Sequence, residues 1–161
     1  TWIDTSDMDF KEEFVGETFG RINKEEAHLL LKELEAYILR IGGSRILEER
    51  IDFGLISPYK AQVQYLRGKI KGSATLRPYR SLITVNTVDG FQGQERDVIF
   101  ISLVRANEEG QIGFLNDLRR MNVAITRARM KLVILGEAAT LGHHAFYKQL
   151  LEYVKKVNGR Q

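Results

Sequence analysis

The sequence predicts an α/β fold in which a parallel sheet is covered by helices on both faces. Strand-like and helix-like segments alternate along the chain, as they do in folds of this class. The runs at 97–104 and 131–136 are almost entirely apolar, which is typical of strands covered on both faces. The segments 23–41 and 117–129 carry apolar residues at spacings of three and four, which indicates amphipathic helices.

Length and composition favour one domain. The chain has 161 residues, of which 43% are hydrophobic, and this is enough to bury a substantial core. We therefore expect residues 1–161 to form a single domain. The first methionine stands at position 8, behind Thr1, so we also expect the chain to be a piece of a longer protein.

Several classes of protein are disfavoured by what the sequence lacks. There is no cysteine, so neither a disulfide framework nor a thiolate metal site can form. We expect His28, His143 and His144 to be structural or surface residues, and we expect no metal site. No apolar run approaches the roughly 20 residues that span a bilayer. We expect a soluble, cytoplasmic protein without a membrane partner.

The N-terminal quarter is expected to contain a short strand, a long loop and a helix. TWID at 1–4 is strand-like, and the acidic, glycine-containing segment that follows has no periodicity, which predicts a surface loop. Asn23 is typical of a helix N-cap, and Glu26 three residues later suggests a capping box. The helix should end at Gly42 and Gly43.

The middle of the chain predicts three strands around one helix. Ser57 and Pro58 are expected to start that helix, as N-cap and first helical residue, with Tyr59 and Val63 on its buried face. The other expected elements are a strand at 51–56, a basic connection at 72–80, a strand at 82–86, a turn at 89–95 and the strand at 97–104.

The predicted helix at 117–129 carries an unusual pair of arginines. Seven residues are close to two helical turns, so Arg120 and Arg127 should project within about 20° of one another, with Arg129 on the flank. Such an array suits phosphate or carboxylate oxygens. No Asp or Glu follows Asp117 in this helix, so the partner should come from elsewhere. A strand at 131–136 and a helix at 143–156 complete the chain.

Polar residues cluster where the predicted strands end. The clusters are Ser57–Gln62, Asn86–Glu95 and the loop that leads into the arginine helix. In open parallel sheets, ligands bind outside the carboxyl ends of the strands. We therefore expect all three clusters to converge on that one edge.

Three long motifs resemble the later conserved blocks of superfamily 1 helicases. They are SPYKAQ at 57–62, TVDGFQGQERDVIFISLVRAN at 87–107 and IGFLNDLRRMNVAITRAR at 112–129. The similarity is closest to the superfamily 1B branch that includes the nonsense-decay helicase and senataxin. WIDT near the start and NKEEA at 23–27 also fit, so the resemblance covers almost the whole chain. The order and spacing of the motifs make it specific.

The resemblance implies the second, C-terminal RecA-like domain of an ATP-driven helicase. In that family, ATP with Mg²⁺ is bound mainly by the first RecA-like domain, through a phosphate-binding loop. This chain has no GxxxxGK[ST] motif, so it would complete an ATP site rather than contain one. The isolated fragment is expected to be inactive as an ATPase. The implied partners are the first RecA-like domain of the same protein and single-stranded DNA or RNA.

The resemblance also assigns roles in ATP hydrolysis. Arg127 matches the arginine finger, the catalytic cation that stabilises charge on the transferred phosphoryl group. Gly93 and Glu95 match the glycine-glutamate step that faces the nucleotide. Tyr59 and Gln62 match the fourth motif, whose first helical turn borders the ATP cleft. For Tyr59, packing in the core is an equally good interpretation.

Asn86 and Thr87 match the part of the fifth motif that contacts the nucleic-acid backbone. A hydroxyl and backbone amides at a strand end can hold a phosphate without reading any base. Asp89 beside them is interpreted as a turn residue, and Arg120 as a supporting or interface residue. An alternative function is a degenerate, non-catalytic module that binds nucleic acid or protein. The complete Gln92–Glu95 step and Arg127 argue against that alternative.

Overall fold

A computed structural model of the chain describes residues 1–14, 20–91, 93–107 and 117–158, except for the side chains of 118 and 155–158. Gln92 and the predicted loop 108–116 lie outside the described residues. The strands are β1 (Trp2–Asp4), β2 (Glu13–Phe14), β3 (Arg21–Ile22), β4 (Phe53–Ser57), β5 (Ile83–Thr87), β6 (Arg96–Ser102) and β7 (Ala128–Gly136). The helices are α1 (Lys24–Ile41), α2 (Gly43–Glu49), α3 (Lys60–Lys71), α4 (Leu118–Ile125), α5 (Ala138–Leu141) and α6 (Ala145–Asn158).

Five strands form one parallel sheet in the order β1-β7-β6-β4-β5. The central strand β6 is almost completely buried, as its apolar sequence predicted. Strand β2 lies within the segment that was predicted to be a loop, and it forms a separate antiparallel pair with β3, just after that segment.

The two faces of the sheet are covered by different helices. Alternate strand residues point to opposite faces, and this divides the buried apolar side chains into two clusters. Leu34 of α1 and Leu66 of α3 pack on the first face, whereas Met121 of α4 and Tyr147 of α6 pack on the second. The protein therefore has the predicted three-layer, RecA-like α/β fold.

Helix α1 follows its local sequence signals. The Asn23 side chain accepts a hydrogen bond from the Glu26 amide at 3.0 Å, which confirms the predicted N-cap. Gly42 ends the helix with a φ of +102°, a backbone conformation that glycine adopts without strain. The next helix, α2, begins immediately afterwards and was not predicted.

Helix α3 begins later than predicted. Ser57 is still the last residue of β4, where it pairs with Thr87 of β5. The helix itself starts at Lys60, with Tyr59 in the capping position. The prediction that Ser57 and Pro58 start the helix is therefore wrong, because pairing in the sheet extends the strand through Ser57.

Helix α4 ends at Ile125, so the predicted helix 117–129 is four residues too long. Arg127 lies in the following turn, and its carbonyl accepts a hydrogen bond from the Arg96 amide at 3.0 Å, where β6 and β7 begin to pair. Ala128 is apolar and is compatible with packing against the core in a helix or in a strand. The spacing of apolar residues alone therefore placed the end of the helix wrongly. The predicted stacking of Arg127 beside Arg120 is wrong for the same reason.

Candidate nucleotide and nucleic-acid site

The predicted site residues lie at two opposite edges of the sheet. Tyr59, Gln62, Asn86 and Thr87 lie at or just beyond the carboxyl ends of β4 and β5, here called the carboxyl edge. Gly93, Glu95 and Arg127 precede β6 and β7 and therefore lie at the amino edge. Seven residues of β6 separate the two edges, which corresponds to about 20 Å. The prediction that the whole Asn86–Glu95 cluster lies at the carboxyl edge is therefore wrong, because Gly93 and Glu95 lie at the amino edge.

Helix α4 connects the two edges along the outside of the second face. At its start, the Arg120 guanidinium lies 3.4 Å from the Asp89 carboxylate, just beyond β5. At its end, the Arg127 carbonyl is bonded to the amide of Arg96 at the start of β6. The helix therefore lies beside the 88–95 segment, and Arg120, Gly93 and Glu95 are all exposed along this path.

The Arg127 side chain is held by the end of the preceding helix, α4. Its Nε donates to the Val123 carbonyl at 3.1 Å, and its Nη2 lies 3.4 Å from the Thr126 hydroxyl oxygen. That hydroxyl is itself 3.0 Å from the carbonyls of Asn122 and Val123. The last turn of a helix favours a cation. No carboxylate of the described residues forms an ion pair with Arg127, so its charge is available to an anion.

Gly93 and Glu95 lie on the open chain segment that enters β6. Gly93 has a φ of +76°, a left-handed conformation in which any other residue would be strained, and no described atom would obstruct a Cβ there. The glycine is therefore needed for the backbone turn. The Glu95 side chain is 55% exposed, and its one ion-pair contact within the described part of the chain is with Arg129, at 4.0 Å.

Arg129 has a structural role that the sequence did not reveal. It belongs to β7, and its guanidinium contacts Asp97 at 3.1 Å and Asp52 at 3.2 Å. The two aspartates also bond each other's backbone amides. Burial alone would raise the pKa of Asp97, but the hydrogen bonds from the Asp52 amide and Arg129 outweigh it and lower the pKa. The predicted placement of Arg129 on the flank of the arginine helix is wrong.

Gln62 and Tyr59 are buried at the carboxyl edge. The Gln62 amide donates to the Asn23 carbonyl at 2.9 Å and to the Ser102 hydroxyl at 3.0 Å, and it accepts from the Asn23 amide at 3.0 Å. The Tyr59 hydroxyl accepts from the Arg105 guanidinium at 3.2 Å. Tyr59 is only 3% exposed, which favours the core-packing interpretation. Neither side chain faces open solvent.

A buried carboxylate lies behind Gln62. Glu26 accepts hydrogen bonds from the Ser102 hydroxyl at 2.6 Å and from the Val104 amide at 2.8 Å, both on Oε1. Its Oε2 has no hydrogen-bond partner among the described residues. Complete burial raises the pKa of Glu26 to about 7.

Glu26 also supports a strained turn. Val104 has a φ of +71°, and the Arg105 amide donates to the Leu103 carbonyl at 2.7 Å across it. This three-residue turn is costly for a β-branched residue. The Asn23 side chain holds the Val104 carbonyl at 3.0 Å, while Glu26 holds the Val104 amide. The burial of Glu26 could have been predicted from the sequence, because Glu26 lies four residues before Leu30 and therefore falls on the buried stripe of α1.

These buried groups fill the crevice in which parallel α/β proteins usually bind ligands. The chain leaves β4 through α3 on the first face and leaves β6 through α4 on the second face. The crevice therefore lies between the carboxyl ends of β4 and β6. Gln62, Ser102 and Glu26 occupy it, together with the Tyr59–Arg105 pair. The closed crevice agrees with the lack of a phosphate-binding loop in the sequence.

Asn86 and Thr87 lie at a more open part of the carboxyl edge. The Asn86 side chain accepts from the Thr87 amide at 2.8 Å, and a Cβ on Gly90 would overlap Asn86. Asn86 therefore shapes the turn, and glycine at 90 makes room for it. The Thr87 hydroxyl oxygen lies 3.4 Å from the Gly90 amide, which leaves its proton available to a ligand oxygen.

The described residues contain neither a cluster of acidic or histidine side chains that could hold a metal ion nor a helix apolar and long enough to cross a membrane. His28 contacts the Tyr65 hydroxyl at 2.7 Å.

Comparisons with known proteins identify related sequences. A family model described as an AAA domain matches residues 1–139. Probable helicase MAGATAMA 3 of Arabidopsis thaliana is 38% identical over 143 residues, which are 89% of this chain and 17% of that protein. Regulator of nonsense transcripts 1 homolog of Drosophila melanogaster is 38% identical over 149 residues, 90% of this chain and 12% of the relative. Helicase SEN1 of Saccharomyces cerevisiae is 37% identical over 150 residues, 90% of this chain and 6% of the relative.

The family match covers most of the chain, so the chain belongs to the AAA domain family. Within that family it is a helicase domain of the superfamily 1B type, as the three motifs predicted. The chain spans less than a fifth of the length of each of these three relatives.

Proposed function

We propose that this domain is the C-terminal motor half of an ATP-dependent superfamily 1B helicase. It completes an ATP site whose phosphate-binding loop belongs to a first RecA-like domain of the same protein, and it contacts single-stranded DNA or RNA. The observation that carries the proposal is the position of Arg127. Its guanidinium has no acidic partner among the described residues, and its backbone carbonyl is bonded to the amide of Arg96, next to the exposed Glu95 at the amino edge of the sheet.

The residues of the amino edge fit a nucleotide that is held mainly by another domain. ATP with Mg²⁺ supplies the transferable phosphoryl group and part of the charge neutralisation. Arg127 provides a cation that no described carboxylate neutralises, while Gly93 and Glu95 provide an accessible backbone turn and an accessible carboxylate. Tyr59 and Gln62 lie at the opposite, carboxyl edge, where their buried contacts fix the start of α3.

Arg127 acts by stabilising charge. In the resting domain its Nε is bonded to the Val123 carbonyl, a contact that a phosphoryl oxygen can replace. As negative charge grows on the transferred group, the guanidinium stabilises it, and arginine fingers contribute about 10³ to 10⁵ in rate. The Thr126 hydroxyl limits the conformations of the side chain and so reduces the entropy lost on engagement.

Thr87 and Asn86 contribute the contact with the nucleic-acid backbone. The Thr87 hydroxyl and the neighbouring amides can bind one phosphate without recognising the base, as movement along a strand requires. This contact lies at the opposite edge from Arg127. The outer surface of α4 and the 88–95 segment connects the two.

Steady-state ATPase measurements with single-stranded nucleic acid test this proposal. The 161-residue chain alone should show no turnover, because it has no phosphate-binding loop. The full-length protein should hydrolyse ATP, faster when nucleic acid is present. A full-length protein that binds nucleic acid without any hydrolysis would instead support a non-catalytic binding module.

A further inference from the structure

The start of α4 and the turn after β5 border an open cavity of about 210 Å³. Its lining residues are Val88, Asp89, Asp117, Arg119, Arg120 and Val123. Clefts for drug-sized molecules measure about 300–1,000 Å³, so this cavity suits a single small ring system. A smaller cleft beside it contains Pro58 and Thr87 and shares Val88, Asp89 and Arg120 with it. The cavity is therefore continuous with the proposed backbone contact at Thr87.

The lining combines an apolar part with planar cations. Val88 is buried and Val123 is half-buried, and both contribute apolar surface. The Arg119 guanidinium forms no ion pair or hydrogen bond with the described part of the chain. Guanidinium planes and apolar side chains are the surfaces on which unstacked nucleobases stack.

The remaining lining groups can be released to a ligand. Arg120 contacts Asp89 and Asp117, each at 3.4 Å, and all three side chains are about half exposed or more. Exposed pairs of this kind contribute little to stability and exchange readily. The two aspartates can accept hydrogen bonds from ring or exocyclic N–H groups of a base.

The charge of the cavity distinguishes a base from a phosphate. Two arginines and two aspartates line it, so its formal charge is zero. A phosphate placed here would meet two carboxylates, whereas an uncharged base meets donors, acceptors and apolar surface. The lining therefore fits a nucleobase better than a phosphate.

We propose that this cavity binds one unstacked nucleobase of the single strand whose backbone lies at Thr87. The inference rests on the proposed function, because it requires a strand at the carboxyl edge. It adds a base contact to what would otherwise be a track for the backbone alone. Arg119 and Val123 are the main stacking residues, and Asp89 and Asp117 accept hydrogen bonds from the base edge.

Fluorescence anisotropy of the 161-residue chain with two labelled oligonucleotides tests the inference. One is oligothymidine, and the other has the same length and phosphate number but carries abasic sugars throughout. Both release the same counterions, so their affinities differ only through base contacts. We expect oligothymidine to bind about 10-fold more tightly. Arg119→Ala and Val123→Thr should both bring this ratio close to one.

Arg80→Ala is the control for removal of an arginine, since Arg80 is exposed and lies in the Arg77–Leu82 segment, outside the cavity. It should leave the ratio unchanged. Equal affinity of the wild-type chain for both oligonucleotides would overturn the base pocket and leave the backbone contact intact. A ratio that survives both Arg119→Ala and Val123→Thr would place the base contact elsewhere and overturn the assignment. Binding of neither oligonucleotide would contradict the proposed nucleic-acid contact and the pocket together.

Discussion

The motif residues differ in burial and in bonding between the two edges of the sheet. At the carboxyl crevice between β4 and β6, Tyr59, Gln62 and Glu26 are at most 3% exposed, and each is hydrogen-bonded within the protein. At the amino edge, Glu95 is largely exposed and Arg127 has no acidic partner among the described residues. Residues of the motifs that resemble the family therefore divide into a structural group and an available group.

The difference between the edges follows from the hydrogen bonds that each polar side chain already makes within the protein. A buried amide that already makes three hydrogen bonds can bind a ligand only by giving up some of them, and each buried group left unpaired costs about 1–3 kcal/mol. The half-buried Arg127 guanidinium, bonded only to the Val123 carbonyl and the Thr126 hydroxyl among the described residues, loses less when it turns to a phosphate. Similarity to the motifs identifies the candidate site residues, and burial shows which of their side chains a ligand can reach.

Gln62→Ala should have the largest effect on stability. The substitution leaves the backbone groups of Asn23 and the Ser102 hydroxyl without their partner in a buried site. We expect the free energy of unfolding to fall by about 2–4 kcal/mol, measured by urea denaturation. Gln64→Ala, an exposed position on the same helix, should change it by less than about 0.5 kcal/mol. Equal, small effects of both substitutions would contradict the structural role of Gln62.

Glu26→Gln should change how stability depends on pH. The pKa of Glu26 is about 7 in the folded protein and 4.5 in the reference state, so the native state binds more protons between these values. Stability should therefore fall as the pH rises from 4.5 to 7, by about 3 kcal/mol from this group. Glu26→Gln should remove that contribution and exceed the wild type in stability at pH 8. Denaturation at several pH values, with the exposed Glu25→Gln as control, measures the difference. Parallel pH profiles of wild type and Glu26→Gln would contradict the raised pKa.

Arg129→Ala and Arg127→Ala should differ in stability although they are two residues apart. Arg129 links Asp52 and Asp97 at the start of β4 and β6, but it is 45% exposed, so solvent screening limits its contribution. We expect its removal to cost about 1 kcal/mol. Removal of Arg127 should cost less than about 0.5 kcal/mol. Thermal and urea denaturation of both variants compare them, and a larger loss for Arg127→Ala would make Arg127 the structural residue.

Much of the fold could be predicted because its signals are local. The cap and stripe of α1 and the apolar runs of β6 and β7 depend on neighbouring residues. The end of α4 could not be predicted from periodicity, since the apolar, partly buried Ala128 is compatible with a helix or a strand and pairing with Arg96 decides between them. Pairing of β4 with β5 likewise extended the strand through Ser57.

The arrangement of the site was less accessible to sequence analysis. Gly93 and Glu95 come directly before a strand, so their place at the amino edge follows from chain direction and could have been predicted. The links from Glu26 to Ser102 and from Arg129 to Asp52 join residues 76 and 77 positions apart. No local pattern reveals such pairs, and they decide which motif residues remain available.

The central claim is that Arg127 completes an ATP site from the open edge of this domain. Nucleotide affinity and steady-state hydrolysis of the full-length protein test it most directly, with Arg127→Ala compared to Arg127→Lys and to the charge-matched control Arg80→Ala. We predict that Arg127→Ala binds ATP nearly as well as the wild type yet hydrolyses it about 10³-fold or more slowly, because the contact strengthens as charge develops in the transition state. Arg127→Lys should recover little, since an ammonium cannot reproduce the planar guanidinium, and Arg80→Ala should behave as the wild type. Hydrolysis by Arg127→Ala close to the wild-type rate would contradict the account.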